Sequence, residues 1–283
     1  PQVNKENKKG GGVHPCVKKL FAKEPALESL DGLTTLNARI PLISGLISHS
    51  DGGFIKAQIA GLTNTLRFKH ATVVNLPKID LPYSAAVRGS LIAREGNTLV
   101  GADLAGAEDR TKQHYLWPHD PEYVKSMMSP DWDPHIDIAV IAEMMTEEEA
   151  EAYKKGDKSK KSIRDIAKNG NFAAVYGAGA KKLAITMGIP LARAKTFKEA
   201  YNKRNWSVKA VADAQKIKYI NDEMWLYNPV SRFWYSLREV KDVFSTLNQG
   251  TATYVFDLWL MYTLQEYEFL IGNFHDEQIL ECK

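Results

Sequence analysis

The sequence predicts an α+β fold with a large helical share. Three observations predict it. A short apolar run, 98–102, leads into an acid, Asp103, and reads as a buried strand with that acid at its end. The chain closes on two strand-like runs, 269–274 and 278–282, separated by a turn at His275-Asp276. Between them, residues 162–176, 191–222 and 240–267 carry helical periodicity.

Taken in order, residues 1–25 are rich in Lys and Gly. From Leu27 to Leu62 the pattern predicts a helix, a turn at Ser50-Asp51-Gly52-Gly53, and a short strand. Loops and short strands are expected over 63–90, around Pro77 and Pro82. After the 98–102 strand comes a helix over Ala107–Leu116. Prolines at 118, 121, 130 and 134 punctuate the next stretch, and a further helix fits Ile136–Met145. Residues 146–161 form an acidic block followed by a basic one, read as a solvated insertion more readily than as a DNA contact. The 162–176 helix ends at Gly177 and Gly179. Trp225, Trp234 and Trp259 read as core or interface residues.

Composition narrows function only slightly. The chain has 283 residues, 44% of them apolar, and Lys+Arg exceeds Asp+Glu by three. This suits a soluble chain of one or two domains and permits nucleic-acid binding without demanding it. Cys16 and Cys282 lie at opposite ends, which predicts a reducing compartment, and His14 with Cys16 forms no zinc pattern. No apolar run is long enough to cross a membrane, and no membrane contact is expected. The start lacks a signal-peptide core and an initiator Met, so a fragment is expected.

Two features carry chemistry. Asp103 at a strand end and Asp276 at a hairpin turn come from distant segments. Two such carboxylates can hold two divalent ions about 3.5–4 Å apart for phosphoryl transfer. Glu277 sits beside Asp276 and adjusts the local charge. Either acid alone reads more readily as an ordinary turn residue. The second feature is Arg164, Lys168, Phe172 and Tyr176, recurring every four residues. On a helix this is one drifting stripe, two cations followed by two rings, spanning about 18 Å. It suits a nucleoside triphosphate, with phosphates at the cationic end. It also reads as an amphipathic helix with Phe172 and Tyr176 in the core.

Three ordered segments resemble the motifs of family A DNA polymerases, the group of bacterial DNA polymerase I and podovirus replicases. Asp103-Leu-Ala-Gly-Ala-Glu108-Asp109-Arg110 is similar to D-Y-S-x-x-E-L-R. Arg164-x3-Lys168-x3-Phe172-x3-Tyr176-Gly177 is similar to R-x3-K-x3-[FY]-x3-Y-G, and His275-Asp276-Glu277 to H-D-E. Asp133-x-His135, Gln249-Gly250-Thr251 and Asn75-Leu76-Pro77 match weaker signatures. Tyr-Gly-Ala-Gly at 176–179 leans toward the viral branch. The resemblance covers about residues 60–283.

The resemblance implies a right-hand polymerase with mostly helical fingers and an antiparallel palm sheet. Residues 1–60 would end the thumb, 61–125 begin the palm, 126–240 form the fingers, and 241–283 return to a truncated palm. Asp103, Asp276 and the Leu104 carbonyl would hold two Mg2+ ions, with Glu277 beside them. Glu108 would lie under the nucleotide sugar, where a 2′-hydroxyl collides with it, braced by Tyr176. His135, Arg164 and Lys168 would meet the triphosphate, and Phe172 would pack on sugar and base, disfavouring dideoxynucleotides. Gln249 would reach DNA near the primer terminus, and His275 the primer end. The family's T-G-R-L-S lacks its Arg at Thr63-Asn64-Thr65-Leu66, and Arg67, two residues on, is the candidate for that DNA contact. Leu104 stands where the family has Tyr, and Ser245 where it often has Asn.

The expected activity is template-directed extension of a primer with dNTPs in DNA replication, probed with primer-template DNA, in a host-cell cytoplasm if viral. A single-subunit RNA polymerase-like enzyme and an inactive nucleic-acid-binding fragment stay open as alternatives.

Overall fold

A computed structural model of the chain describes residues 13, 15–73, 76–175 and 177–283. It is mixed α and β, and every strand pairing is antiparallel.

The first part is lightly packed. A short helix, α1 (Pro15–Lys18), and a 3-10 turn precede α2 (Leu33–Ser48), whose Leu33, Leu36, Ile40, Ile43 and Ile47 are exposed. Hairpins β1 (Ser50–Asp51) with β2 (Phe54–Ile55), and β3 (Ile59–Leu62) with β4 (Phe68–His70), follow. A short helix, α3 (Ser84–Gly89), occupies part of the stretch predicted as loops and strands. Ser84 anchors it by donating to the Pro77 carbonyl at 2.9 Å.

Strand β5 (Thr98–Asp103) lies where the sequence predicts it, but it is not buried: Leu99 and Val100 stay exposed. It is an edge strand of a three-stranded sheet, so its apolar run is covered on one side only. Helix α4 (Ala107–Leu116) follows as expected. The proline-punctuated stretch holds a helix the sequence reading passed over, α5 (Pro121–Met128). Pro121 occupies its first turn and Asp120 caps the Tyr123 N–H, so the proline starts the helix rather than breaking it. Helix α6 (Pro134–Ile141) begins the same way, with Asp133 accepting from the N–H groups of His135 and Ile136.

The acidic block forms α7 (Glu147–Lys154) under a Thr146–Glu149 capping box. Its basic sequel is largely paired, Lys154 with Glu151 at 2.9 Å, Lys160 with Glu149 at 2.6 Å and Lys161 with Asp165 at 3.2 Å. That supports the solvated-face reading. The striped helix is α8 (Lys161–Val175), followed by α9 (Ala180–Met187), which Gly188 ends in left-handed conformation. The expected 191–222 helix divides at Asn205 into α10 (Leu191–Arg204) and α11 (Trp206–Asp213). Its last part is strand: β6 (Ile217–Ile220) opens a meander with β7 (Glu223–Tyr227) and β8 (Trp234–Leu237). The long helix α12 (Val243–Glu266) leads to β9 (Leu270–Phe274) and β10 (Glu277–Cys282), and β10 pairs with both β9 and β5.

Two apolar cores result. One gathers α6 to α10 around Phe197 and Leu183. The other gathers α4, α5, α11, α12 and the β6–β8 meander around Leu116, Leu226 and Leu247. Gly250 on α12 is forced by packing: a Cβ there would stand 2.8 Å from the Tyr235 ring. Among the described residues no helix is long and apolar enough to cross a membrane.

Candidate active site

The hairpin β9–β10 and the end of β5 bring Asp276 and Asp103 together. Glu277 pairs with Asp103 in the ladder, and the Leu104 N–H donates to the Asp276 carbonyl at 2.9 Å. At the tip, the Asp276 N–H donates to the Phe274 carbonyl at 2.9 Å around His275, whose φ is +67°. A non-glycine residue in so tight a turn is strained, and such strain persists only where the surroundings impose it. The Asp103 carboxyl is pushed above its usual range, first by desolvation and then by the charge of Asp276. The two acids therefore repel each other, and a cation between them relieves that repulsion. Carboxylate oxygens of this kind are hard donors that suit Mg2+ shared with phosphates, and the Leu104 carbonyl beside them accepts from the Ala107 N–H at 3.3 Å. Glu277 points elsewhere, toward Gly101, where a Cβ would meet its Oε1 at 3.1 Å. Among the described residues no group of three or more His, Cys, Asp or Glu forms a metal cage.

Glu108, in the first turn of α4, borders both this hairpin and a larger cleft. On the hairpin side it lines a narrow recess with Arg67, Gln249, His275 and Asp276. Arg67 pairs with it, Nη1 to Oε1 at 3.3 Å. Burial raises the Glu108 pKa; Arg67 opposes this, and Asp276 and Asp109 add to it. Asn248 donates to the Glu108 carbonyl at 2.9 Å and accepts from Thr111 at 2.8 Å, which fixes α4 on α12 and sets Gln249 beside Glu108. Burial, Arg67 and His70 hold the His275 pKa down.

The larger cleft, about 170 Å3, runs along the seam between the two cores. Its walls include Glu108, His135, Asn171 and Phe172. The Phe172 ring is 54% exposed, so it is not a core residue, and it lies 5.5 Å from the His135 ring. Lys168 Nζ stands 6.0 Å from the Phe172 ring centroid. Arg164 Nε donates to Asp133 Oδ2 at 2.7 Å. Burial alone would raise the Asp133 pKa, but Arg164 and the two capped N–H groups outweigh it, and the net shift is downward. Burial lowers the His135 pKa, with Arg164 and Lys168 adding to that and Asp133 opposing it. These influences favour the neutral imidazole, which keeps one donor N–H. Tyr176 and Asn75 lie outside the described residues.

The sequence reading missed several groups in this cleft. Arg204 donates to Asp137 at 3.1 Å and lies 3.3 Å from the Tyr123 ring centroid, joining α10 to α6 and α5. Lys112, one turn beyond Glu108, donates to Asn205 at 3.2 Å. Its i+4 spacing from Glu108 was the available signal. Burial lowers the Lys112 pKa to about 8, with Arg204 adding to the shift and Asp109 and Asp137 opposing it. The charged form is thus disfavoured in the folded state. Its cost is present in full below about pH 8 and vanishes as pH approaches the unfolded value of 10.5. Lys112→Met is expected to stabilise the protein at pH 7 by on the order of 1–3 kcal/mol, allowing for screening by cleft water. Thermal unfolding of both proteins from pH 7 to 10 checks it: the gap closes as pH rises, and a constant gap rejects the assignment. His70 is also notable: both its ring nitrogens are buried without hydrogen-bond partners, 5.7 Å from the His275 ring by centroids.

The family model described as DNA polymerase family A matches residues 40–233. DNA polymerase I of Helicobacter pylori strain J99 is 52% identical over 54 residues, 19% of this chain and 6% of that protein. DNA polymerase I of strain 26695 is 29% identical over 162 residues, 56% of this chain and 16% of that protein. A solved structure of the POL domain of Pol1 from M. smegmatis, in complex with DNA primer-template and dNTP, superposes with a TM-score of 0.63 at 19% identity. It covers 94% of this chain and 49% of the other. The chain thus shares the fold of that polymerase domain, and spans a small part of the length of the curated relatives.

Proposed function

Because the chain belongs to DNA polymerase family A, we propose that it forms palm and fingers of a template-directed DNA polymerase that adds dNTPs to a primer 3′ end. The carrying observation is the convergence of Asp103 and Asp276 beside Glu108, with His135 and Phe172 on the adjoining cleft and Lys168 near the Phe172 ring. In this reading residues 61–125 and 241–283 are palm, 126–240 fingers, and 1–60 the end of the thumb. The viral assignment rests on Tyr176-Gly-Ala-Gly179 alone, and a cytoplasmic setting follows from replication of DNA there.

Asp103, Asp276 and the Leu104 carbonyl would hold two Mg2+ ions, which supply charge neutralisation at the phosphates and acidify the primer hydroxyl when bound. The chain's own residues do the rest. Lys168 gives a point charge to the triphosphate, and neutral His135 donates a hydrogen bond to it. Arg164 is held by Asp133 until phosphate competes for its guanidinium, a planar group suited to both partners. Phe172 offers an exposed ring to sugar and base. Gln249, Arg67 and His275 face the primer side of Glu108. Tyr176, outside the described residues, is assigned by resemblance to the same pocket.

The experiment is extension of a labelled primer on a DNA template by the chain, with dNTPs or NTPs, with and without a chelator. Extension is expected with dNTPs and Mg2+ only. Equal use of NTPs favours the RNA polymerase-like reading, and DNA binding without incorporation favours the inactive fragment.

A further inference from the structure

The outer face of the β6–β7–β8 meander takes no part in the site described. Strand alternation sends Leu226, Tyr235 and Leu237 inward, where they are buried in the core shared with α12. The opposite face carries Lys218, Trp225, Tyr227 and Trp234, with Lys216 just before β6. These three rings are half-buried, and for Trp225 and Trp234, expected as core or interface residues, that excludes the core alone. Trp234 and Tyr227 lie 5.1 Å apart by centroids. Lys218 Nζ sits 3.9 Å over the Trp234 ring, and Lys216 Nζ 6.0 Å from that of Tyr227. Among the described residues neither lysine is ion-paired to a carboxylate. Over 215–238 there are four cations, Lys216, Lys218, Arg232 and Arg238, and two acids, Asp222 and Glu223, both at the β6–β7 turn. Arg232 and the 56% exposed Phe233 extend the same chemistry into the β7–β8 loop.

Cross-strand aromatic pairs stabilise sheets without any ligand. That accounts for the rings but not for lysines left over them with no acid to meet. Cations interleaved with stacked rings match a chain of phosphates and bases, and alternation with rings is how unpaired strands are held. A cation–π contact at an exposed site is weaker than base–aromatic stacking, so a base displaces the lysine head from its ring. The freed ammonium, on a flexible stem, then reaches a phosphate. The position is suitable as well. Asn64 Nδ2 donates to the Ser236 carbonyl at 3.2 Å, so β8 abuts the loop that delivers Arg67 to Glu108.

We propose that this face binds single-stranded DNA, stacking bases on Trp225, Tyr227 and Trp234 and setting phosphates beside Lys216 and Lys218. That the strand is the unpaired template rests on the polymerase reading; binding itself does not. The test is fluorescence anisotropy of a labelled oligothymidylate of about twelve nucleotides with the full chain, over a range of salt. Lys216→Glu/Lys218→Glu is expected to weaken binding at least about tenfold and to reduce the slope of log affinity against log salt by about 1.4, at about 0.7 per phosphate. Trp234→Leu is expected to weaken binding about tenfold while Trp234→Phe restores most of it, which separates stacking from a folding defect. Unchanged affinity and slope in the charge-reversed protein overturns the proposal, as does Trp234→Phe binding no better than Trp234→Leu. Oligothymidylate binding that depends on these residues, in a chain that extends no primer, upholds this surface and rejects the polymerase reading alone.

Discussion

Asp276→Ala is expected to reduce Mg2+-dependent primer extension by roughly 10³-fold or more while leaving primer-template affinity within about threefold. Asp103→Ala is expected to do the same. The two acids reach the same place from opposite ends of the chain, joined by the β5–β10 ladder and the Leu104–Asp276 backbone bond. Among the described residues no third Asp, Glu, His or Cys is gathered with them to replace either one. Stability distinguishes a functional loss from a structural one. Desolvation raises the cost of ionising Asp103, and the charge of Asp276 adds to it. Removing Asp276 lets Asp103 ionise at lower pH, so the variant should unfold at the same temperature as the parent or higher. Single-turnover extension with matched thermal melts checks both parts. Retained extension in either variant sinks the metal assignment, and lost extension with a lowered melting temperature traces the defect to folding.

The legible parts of this chain share a physical property: their signal is local. Helix α4, the β9–β10 hairpin and the α8 stripe each follow from periodicity and turn residues within a dozen positions, and the structure has them at the expected places. Prolines at 121 and 134 were read as breaks but start α5 and α6, because a preceding Asp caps each helix. Strand β6 falls inside the helix expected over 191–222, since Ile217–Ile220 carries no turn residue before it and its strand character comes from pairing with β7. Strand β5 was expected to be buried, but burial depends on what covers a sheet face and not on the strand's composition.

The same contrast holds within the site. Asp103, Glu108, Phe172 and Asp276 stand out from motif spacing. Their partners do not: Arg67, expected at DNA, reaches Glu108 across 41 positions, and Asn248 reaches its carbonyl across 140. Arg204 with Asp137, and Lys112 with Asn205, are likewise tertiary pairings. Apart from the i+4 spacing of Lys112 from Glu108, nothing in the neighbouring residues marks them, because what makes them functional candidates is the cleft they share.

Glu108 is where sugar choice should be read most directly. Its side chain stands on the ridge between the narrow recess of Asp276 and the larger cleft of Phe172, so a nucleotide using both must pass its sugar over it. The backbone beneath is held by Asn248, and the carboxyl by Arg67. A fixed group rejects an added hydroxyl by clash, and Glu108→Ala opens that space. The preference for dNTP over NTP, measured as the ratio of kcat/KM values, should fall by about 10²-fold, the scale of a single pocket contact. Extension with dNTPs should fall far less. Arg67→Ala should behave differently. It leaves the carboxyl in place, so sugar preference should stay within about threefold of the parent. It also removes the charge that opposes burial, so Glu108 protonates at higher pH than before. Any acid limb of the extension rate owed to Glu108 should therefore move to higher pH in Arg67→Ala and vanish in Glu108→Ala. If Arg67→Ala relaxes sugar choice as much as Glu108→Ala, the clash account is wrong and the ion pair discriminates as a unit. If the parent itself accepts NTPs as readily as dNTPs, Glu108 is no barrier, and the RNA polymerase-like reading replaces the DNA polymerase one.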